Sequence, residues 1–332
     1  MKTRLLHDTS EDITEAAHII KEGGLVAFPT ETVYGLGADA LNADAVEKIY
    51  EAKGRPSDNP TIVHISAESD MHRLTTSVTD DMKVLMRRFW PGPMTMICPR
   101  KETVPDVTTG NLDTVGIRMP SNPIARELIF RSGCPIAAPS ANLSGRPSPT
   151  TAQHVIDDLD GRIDAIIQSE PCEVGIESTV IDMTGEIPMI LRPGIITQEQ
   201  FEEALGRSIL LDPTLNRPPR PGDDIHPKAP GMKYKHYAPK AEMIIFQGSR
   251  ENVAAAIDAE RMEREELGQR VSVIEFNEEE EKIAAHEIFA RLREADKEDA
   301  DVILAAALPQ KGVGFSVMNR MLRSAGFNVR NV

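Results

Sequence analysis

Four cations lie at the ends of predicted strands and helices, where the side chains of α/β proteins meet ligands. Arg118 and Arg192 each interrupt an apolar, strand-like run, and Lys53 and Arg55 flank Gly54 at the end of a predicted helix. Burying an unpaired arginine is prohibitive, so each needs an acidic partner or a polar cavity. A structural ion pair is the simpler explanation for any one of them. Four together favour an anion-binding cavity.

Hydroxyl side chains gather at the ends of the same predicted strands. Hydroxyl and guanidinium groups both donate hydrogen bonds to phosphate oxygens, so together they suit a phosphate-bearing ligand. His64, on a short apolar strand, would by itself be explained as a core histidine. The hydroxyl residues are Thr30, Thr32, Ser140, Ser144, Ser148, Ser178 and Thr179.

Two glycines within residues 23–40, GGLVAFPTETVYGLGADA, formally match the dinucleotide fingerprint G-x-G-x-x-A. The match fails on position, because the helix that should begin inside the motif starts near Asn42, beyond it. No G-x-x-x-x-G-K-[ST] phosphate loop occurs in the chain either. We interpret Gly35 and Gly37 instead as residues that let the chain turn tightly beside a ligand.

The elements that position these residues predict an α/β fold with a twisted, mixed sheet in the first part of the chain. Strands and amphipathic helices follow one another there without a regular βαβ alternation, which favours a mixed over an all-parallel sheet. Ser10 is predicted to cap the first helix, over 10–22, and Asn42 the second, which Gly54 ends. Pro123 begins and Gly133 ends a helix over 122–133.

The composition divides the chain into three parts. Residues 206–240 contain seven prolines, which predicts an extended linker. Three strand–helix units follow and predict a small parallel, Rossmann-like α/β domain. We therefore predict a catalytic domain at 1–205, a proline-rich linker or lid at 206–240, and a C-terminal domain at 241–332 to which no chemistry is assigned.

Composition and charge indicate a cytoplasmic globular protein. The 332 residues are 40% hydrophobic and 27% charged, and no apolar window is long enough to span a membrane. The odd set Cys98, Cys134 and Cys172 predicts reduced thiols. The net charge of −15 disfavours a constitutive nucleic-acid binder. It is uneven: −13 over residues 1–205 (18 basic, 31 acidic), +4 over 206–240 (7 basic, 3 acidic) and −6 over 241–332 (12 basic, 18 acidic).

Seven motifs, in order, resemble the threonylcarbamoyl-AMP synthase family in its long, two-domain form with a YrdC-like catalytic domain. They span nearly the whole chain and depart nowhere from the family pattern. The motifs are PTETVYGLGADA, AKGRPSDNP, FWPGPMT, VGIRMPSNPIA, PSANLSGRPSPTTA, GIESTVID and ILRPG, and the linker segment PGMKYKHYAP is also similar.

The resemblance implies an enzyme that acts as a nucleotidyltransferase. L-Threonine, bicarbonate (or CO₂) and ATP would give threonylcarbamoyl-adenylate and pyrophosphate in a deep cationic cavity, with Mg²⁺ entering alongside ATP and no organic cofactor. Partner proteins would then transfer the threonylcarbamoyl group to tRNA, so that this chain meets tRNA only indirectly. No membrane partner is implied.

The family's site residues carry over onto matching positions of this chain. The resemblance makes Lys53 and Arg55 catalytic and leaves the metal ligands unassigned. The implied L-threonine site comprises Thr32, His64, Arg118, Ala138 (backbone) and Ser178. The implied ATP site comprises Arg55, Asn59, Thr114, Ser140, Ser148, Arg192 and Tyr234.

Two further hypotheses follow. The linker would fold over the cavity, with Tyr234, His236 or Tyr237 touching the nucleotide, because a cavity that excludes water needs a lid. We also expect Lys53→Ala and Arg55→Ala each to abolish pyrophosphate release while leaving thermal unfolding nearly unaltered. The alternatives are a double-stranded RNA or tRNA-binding module that uses the cationic cavity, and an NAD-dependent enzyme. Net charge disfavours the first, and the failed fingerprint disfavours the second.

Overall fold

The computed structural model describes residues 2–215, 217–218, 220, 228, 236–277 and 280–332. These residues form two β-sheets with helices packed against them. The strands are β1 (Arg4–Leu6), β2 (Val26–Phe28), β3 (Gly35–Asp39), β4 (Ile62–His64), β5 (Met94–Pro99), β6 (Thr114–Arg118), β7 (Ile136–Ala137), β8 (Ala165–Ile167), β9 (Thr179–Asp182), β10 (Met189–Arg192), β11 (Leu210–Leu211), β12 (Glu242–Gln247), β13 (Val271–Ile274), β14 (Val302–Ala306) and β15 (Val329–Asn331).

The helices lie mostly between these strands, and none within the described residues is long and apolar enough to cross a membrane. A 3-10 turn at Glu68–Asp70 precedes the third helix. The helices are α1 (Ser10–Lys21), α2 (Ala43–Lys53), α3 (Met71–Leu74), α4 (Asp80–Phe89), α5 (Asp106–Thr109), α6 (Pro123–Ser132), α7 (Ala152–Leu159), α8 (Gln198–Leu205), α9 (Arg250–Glu266), α10 (Glu281–Lys297) and α11 (Gly312–Ser324).

The larger sheet is mixed, as the irregular order of strands and helices predicted. Its strands follow the order β1-β8-β2-β3-β7-β4-β6-β5-β9-β10-β11. Parallel pairs such as β4 with β6 and β5 with β9 alternate with antiparallel pairs such as β5 with β6. The strand β11 lies within 206–240, so the segment predicted to be an extended linker adds one short strand to this sheet.

The smaller sheet is entirely parallel, in the order β13-β14-β12-β15. This confirms the prediction of a small parallel α/β domain after the linker. Its core forms where α10 and α11 pack on β12 and β14, with Phe289, Leu292 and Val317 fully buried.

Local sequence signals explain several helix boundaries. Asn42 caps α2, its side chain accepting a hydrogen bond from Ala45 N, and Gly54 ends the helix in the left-handed conformation (φ 60°). Both features were predicted. The cap of α1 was predicted one residue too late: Thr9, not Ser10, accepts the hydrogen bond from Asp12 N.

The interpretation of Gly35 and Gly37 as turn residues is wrong. Both lie inside β3, whose antiparallel partners are β2 and β7. A Cβ atom at Gly37 would lie 2.8 Å from Phe28 and from Ile136, and one at Gly35 would lie 3.2 Å from Ala138. These glycines therefore make room for side chains of the neighbouring strands.

The two domains pack tightly against each other. Val33 and Ile176 of the first domain share an apolar cluster with Ile245 and Phe289 of the second. The closest approach is at Gly175 (φ 85°), where a Cβ would lie 2.4 Å from backbone atoms of His286. A glycine is required there both by its backbone conformation and by the lack of space.

Candidate active site

The candidate site is built on one row of residues that crosses five adjacent strands of the larger sheet. In the strand register His64 pairs with Arg118, Arg118 with Thr95, Thr95 with Val180, and Val180 with Arg192. Paired residues on neighbouring strands project from the same face. Three predicted site residues that are up to 128 positions apart in the chain therefore belong to one row.

A cavity with an empty volume of about 530 Å³, measured out to its mouth, opens at this row. All five predicted L-threonine residues line it, together with Arg55, Ser140 and Arg192 of the predicted ATP set. Among the described residues, three arginines and one carboxylate are its charged lining groups. The lining residues are Thr30, Thr32, Val33, Tyr34, Gly35, Arg55, Ile62, His64, Arg118, Ala138, Pro139, Ser140, Glu177, Ser178, Arg192 and Tyr237.

The loop between β2 and β3 forms one wall and is held by Thr30. Its hydroxyl donates to Val33 O (2.6 Å) and accepts from the N–H groups of Thr32 and Val33 (3.2 Å each). Such hydroxyl-to-backbone bonds fix a tight turn. The turn fixes Thr32, which accepts a hydrogen bond from Arg118 Nη1 (2.9 Å).

Arg118 has both partners that the sequence offered as alternatives. It lines the cavity, and its Nη2 lies 2.7 Å from Glu31 Oε1, both side chains being buried. No described residue accepts a hydrogen bond from Arg118 Nε, and neither Glu31 oxygen is aligned with a donor. The guanidinium is thus charge-compensated but retains hydrogen-bonding capacity for a ligand carboxylate.

His64 is neutral at ordinary pH. It is buried, and burial together with the nearby Arg118 lowers the pKa of its imidazole to about 3. Its Nδ1 lies 3.2 Å from Ile62 O. An uncharged imidazole beside Arg118 contributes one hydrogen-bond donor or acceptor without adding charge.

Ser178 and Arg192 form a connected pair on the other side of the row. Arg192 donates from Nε to Ser178 O and from Nη2 to Ser178 Oγ, both at 3.1 Å. Ser178 Oγ also lies 2.8 Å from Thr95 Oγ1. Ala138, opposite, donates its N–H to Ile62 O (2.9 Å), so a ligand must use its carbonyl oxygen.

A second group of predicted residues lies toward the N-terminal ends of β4 and β6. Half-buried Arg55 donates from Nη2 to Asn59 O (3.2 Å) and Pro60 O (2.9 Å), and burial lowers the pKa of its guanidinium to about 10. Thr114 begins β6, four residues before Arg118, which is roughly 13 Å at the usual rise per residue. Asn59 and Thr114 do not contribute to the cavity lining among the described residues.

Lys53 is fully buried behind the cavity rather than in its lining. Its ammonium donates to Ser140 O and to Asn142 O, both at 2.5 Å. Burial, followed by the charge of Arg55, holds its pKa well below the usual range. Lys53 therefore ties the end of α2 to the segment that carries Ser140.

Ser148 also lies outside the lining and is bound to a residue that the sequence analysis missed. Its hydroxyl donates to Glu177 Oε1 (2.6 Å), and Glu177 lines the cavity. Burial raises the pKa of Glu177, but Arg320, Arg192 and Ser148 together hold it below its ordinary value. The signal for Glu177 was an acid two residues before the buried strand β9. Glu31, three residues after the buried strand β2, carried a similar signal.

The end of the linker reaches the cavity. Tyr237 lines it, and Ala238 donates its N–H to Gly145 O (2.8 Å). His236 Nε2 is buried without a hydrogen-bond partner in the described part of the chain, and burial lowers the pKa of the imidazole to about 3. Tyr234, predicted to contact ATP, lies outside the described residues.

Comparison with known proteins gives matches along nearly the whole chain. A family model described as Telomere recombination matches residues 18–194, and one described as Threonylcarbamoyl-AMP synthase, C-terminal domain, matches residues 196–326. Threonylcarbamoyl-AMP synthase of Pyrococcus abyssi is 46% identical over 329 residues, covering 96% of this chain and 95% of its own. That of Bacillus subtilis is 46% identical over 343 residues, covering 98% and 96%.

A crystal structure of P. abyssi Sua5 complexed with L-threonine has the same architecture. It superposes with a TM-score of 0.93 at 42% sequence identity, and the match covers 100% of both chains. The similarity therefore extends over both domains and the segment between them.

Proposed function

The chain belongs to the threonylcarbamoyl-AMP synthase family, and from that premise we propose that it makes threonylcarbamoyl-AMP and pyrophosphate from L-threonine, bicarbonate (or CO₂) and ATP. The observation that supports this proposal most strongly is 46% identity to two threonylcarbamoyl-AMP synthases, over nearly the full length of this chain and of each relative. One cavity that collects eight of the residues expected from the sequence agrees with it. An RNA-binding module gains no support from these relatives.

We propose that L-threonine binds at the end of the cavity that is formed by the row of strand-paired residues. Arg118 would hold the substrate carboxylate through its uncommitted N–H groups, as a charge-assisted pair. His64 and Ser178 would take the substrate hydroxyl, and the Ala138 carbonyl would accept from its nitrogen. Thr32 would act by fixing Arg118, which it already contacts.

We propose that ATP lies in the same cavity, between Arg192 and Arg55, both of which line it. Arg55 and Arg192 would offset charge on the phosphates, and Ser140 would donate to them. Asn59 and Thr114, at the far end, would contact the rest of the nucleotide. Lys53 and Ser148 would act from behind, through Ser140 and Glu177 respectively.

The proposed reaction class is nucleotidyl transfer without a covalent enzyme intermediate. The amine of threonine attacks the carbon of bicarbonate, with loss of water, or of CO₂, with loss of a proton, and an oxygen of the resulting carbamate attacks the α-phosphorus of ATP. The bond from this phosphorus to the bridging oxygen breaks, and pyrophosphate leaves with that electron pair. The protein's part is to align the carbamate with ATP and to stabilise the charge on the leaving group.

Magnesium is proposed to enter as part of the ATP complex. Among the residues that the structure describes, no three His, Cys, Asp or Glu side chains are grouped as a metal site. Phosphate oxygens commonly supply Mg²⁺ ligands in such reactions.

Acceptor proteins that pass the threonylcarbamoyl group to tRNA are proposed as downstream partners. Tyr237 and its neighbours are proposed as a lid over the cavity.

The test is pyrophosphate release from ATP by the full chain, with L-threonine and bicarbonate each present or omitted. The proposal expects release only when both are present, and recovery of an adenylate that contains labelled threonine. Pyrophosphate release in the absence of L-threonine, or in the absence of bicarbonate, would contradict the proposal. L-Serine in place of L-threonine measures how closely the pocket fits the methyl group, and equal turnover would show that the threonine pocket is assigned too loosely.

A further inference from the structure

One arginine of the second domain reaches through the domain interface to the wall of the cavity. Arg320 on α11 is fully buried. Its Nε donates to Glu177 Oε2 (2.8 Å), its Nη2 to Pro193 O (2.9 Å) and its Nη1 to Asn319 Oδ1 (2.9 Å). All three guanidinium nitrogens are therefore engaged, which fixes the side chain in one position.

The contacts of Arg320 lead directly to groups that line the cavity. Glu177 is one of them, and Pro193 follows Arg192 in the chain. The guanidinium carbon also lies 5.6 Å from the ring centre of Tyr237, a third lining residue near it. Arg320 thus supports the nucleotide side of the proposed site from behind, without facing the cavity itself.

Glu177 has two arginines near it. Arg320 is bonded to one of its oxygens, and Arg192, which lines the same cavity, is bonded to the next residue, Ser178. A buried carboxylate that loses its partner is costly and will pair with another cation within reach. Without Arg320, Ser148 still donates to Glu177 Oε1, but the neighbouring cation is Arg192, bonded to the adjacent Ser178, and the proposed function needs this arginine for phosphate.

We propose that Arg320 is a positioning residue for nucleotide binding: it holds Glu177 in a fixed ion pair, so that Arg192 remains available to the phosphates of ATP. The inference rests on the proposed function and gives the second domain a part in it. In the alternative explanation, Arg320 only stabilises the interface between the domains and has no role in nucleotide binding.

The experiment replaces Arg320 by methionine in the full chain and measures ATP and L-threonine binding separately by calorimetry, along with KM for each substrate. We expect ATP affinity to fall about tenfold or more, the loss typical of a charge-assisted contact, while L-threonine affinity stays within about twofold. Binding measurements keep this result independent of turnover, so a failure of the proposed reaction would be recognised separately.

Arg293→Met is the matched control. Arg293 is likewise a buried arginine of the second domain that pairs with a carboxylate of the first, Asp158 (2.8 Å). Asp158 keeps Arg146 as a partner, and neither Arg293 nor Asp158 lines the cavity. We expect its ATP affinity to stay within about twofold of the wild type. Equal losses of ATP affinity in both variants would show that Arg320 only stabilises the domain interface and would overturn the proposal.

A second-site variant tests the cause. Adding Glu177→Gln to Arg320→Met removes the charge that would capture Arg192, so ATP affinity should recover most of the loss. A double variant no better than Arg320→Met overturns the proposal. If Arg320→Met does not fold, Arg320→Lys takes its place: lysine keeps the charge but cannot hold all three contacts, so a smaller loss confined to ATP is expected. Equal loss for both substrates would then overturn it.

Discussion

At the scale of single residues, the buried pair of Arg118 and Glu31 is the central feature of the proposed L-threonine site. Glu31 compensates the charge of Arg118 without using all of its donors. A ligand can therefore add a carboxylate to an arginine that is already desolvated and fixed, so that less of the cost of ordering it falls on binding.

Arg118→Lys should weaken L-threonine binding by about 100-fold, because lysine keeps the charge but loses the planar fork that holds a carboxylate by two bonds. ATP affinity should change by less than about threefold. Calorimetric titration of the full chain with each substrate measures both effects. If both affinities fell together, Arg118 would be a general structural residue.

His64 predicts a pH-dependent stability with a definite sign. Its pKa is about 3 when folded, below the ordinary value of about 6.5, so between these values the unfolded chain binds more protons. The contribution of neutral His64 to the free energy of unfolding is therefore fully present above pH 6.5. As the pH falls toward 3, the free energy of unfolding decreases by up to about 1.4 kcal/mol per pH unit.

The check is urea unfolding of the wild type and His64→Gln between pH 4 and pH 7. The variant should show a shallower loss of free energy of unfolding toward low pH. His18→Gln, on the exposed face of α1, should keep the slope of the wild type. A slope that is the same in all three proteins would mean that His64 is accessible to protons when folded.

The geometry of Lys53 reverses the earlier expectation that its removal leaves stability nearly unaltered. Lys53→Ala leaves the carbonyls of Ser140 and Asn142 without their donor, so we now expect the free energy of unfolding to fall by about 2 kcal/mol. Lys48→Ala in the same helix, which removes one bond from an exposed side chain to Gly23 O, is the control. Unchanged stability of Lys53→Ala would show that water replaces the ammonium.

At the scale of elements, the packing of β3 makes a prediction about its glycines. Gly37→Ala places a methyl group 2.8 Å from Phe28 and Ile136, so the core must shift, at about 1–3 kcal/mol. Thermal unfolding measures this. Gly185→Ala, at an exposed position where the nearest atom is 3.6 Å away, should be close to neutral.

The elements that sequence predicted best are those with local signals. The caps Asn42 and Gly54 act within one turn of α2, and both were found. The strand β3 was missed because nothing in GLGAD favours a strand: it is stable only because Phe28 and Ile136 fill the space that its glycines leave. The edge strands β1 and β11 were also missed, because runs of three and two residues are too short to show a strand pattern.

The candidate site follows the same division. Arg118 and Arg192 could be predicted because each interrupts an apolar run, and strand pairing then brings them together. Sequence reasoning assigned no role to the partner of Glu177, because Arg320 lies 143 positions away in another domain. Contacts of that kind depend on how domains pack, which composition and periodicity do not reveal.

At the scale of the whole molecule, the domain interface predicts a single unfolding transition. The shared apolar cluster and the buried pairs of Arg293 and Arg320 join the two domains. Trp90, the chain's one tryptophan, lies in the first domain, whereas far-UV circular dichroism also follows α9 and α10 of the second. The two signals should therefore coincide in a thermal scan.

Saturating ATP, at about 100 times its dissociation constant, should shift both signals together, by about 2.7 kcal/mol of added stability. A dichroism change that precedes the fluorescence change would show that the second domain unfolds on its own. The same scans on Arg293→Met would then show how much of the coupling depends on that arginine.

Gly175 limits how this chain could have changed over its history. A side chain at this position would collide with main-chain atoms of α10, and no change of rotamer could relieve the collision. The collision occurs whatever side chains α10 carries. A single substitution at this point of contact is therefore expected to disturb the packing of the two domains. Ancestral reconstruction or domain exchange between homologous proteins should preserve a glycine at this position, or else replace it together with the facing turn of α10.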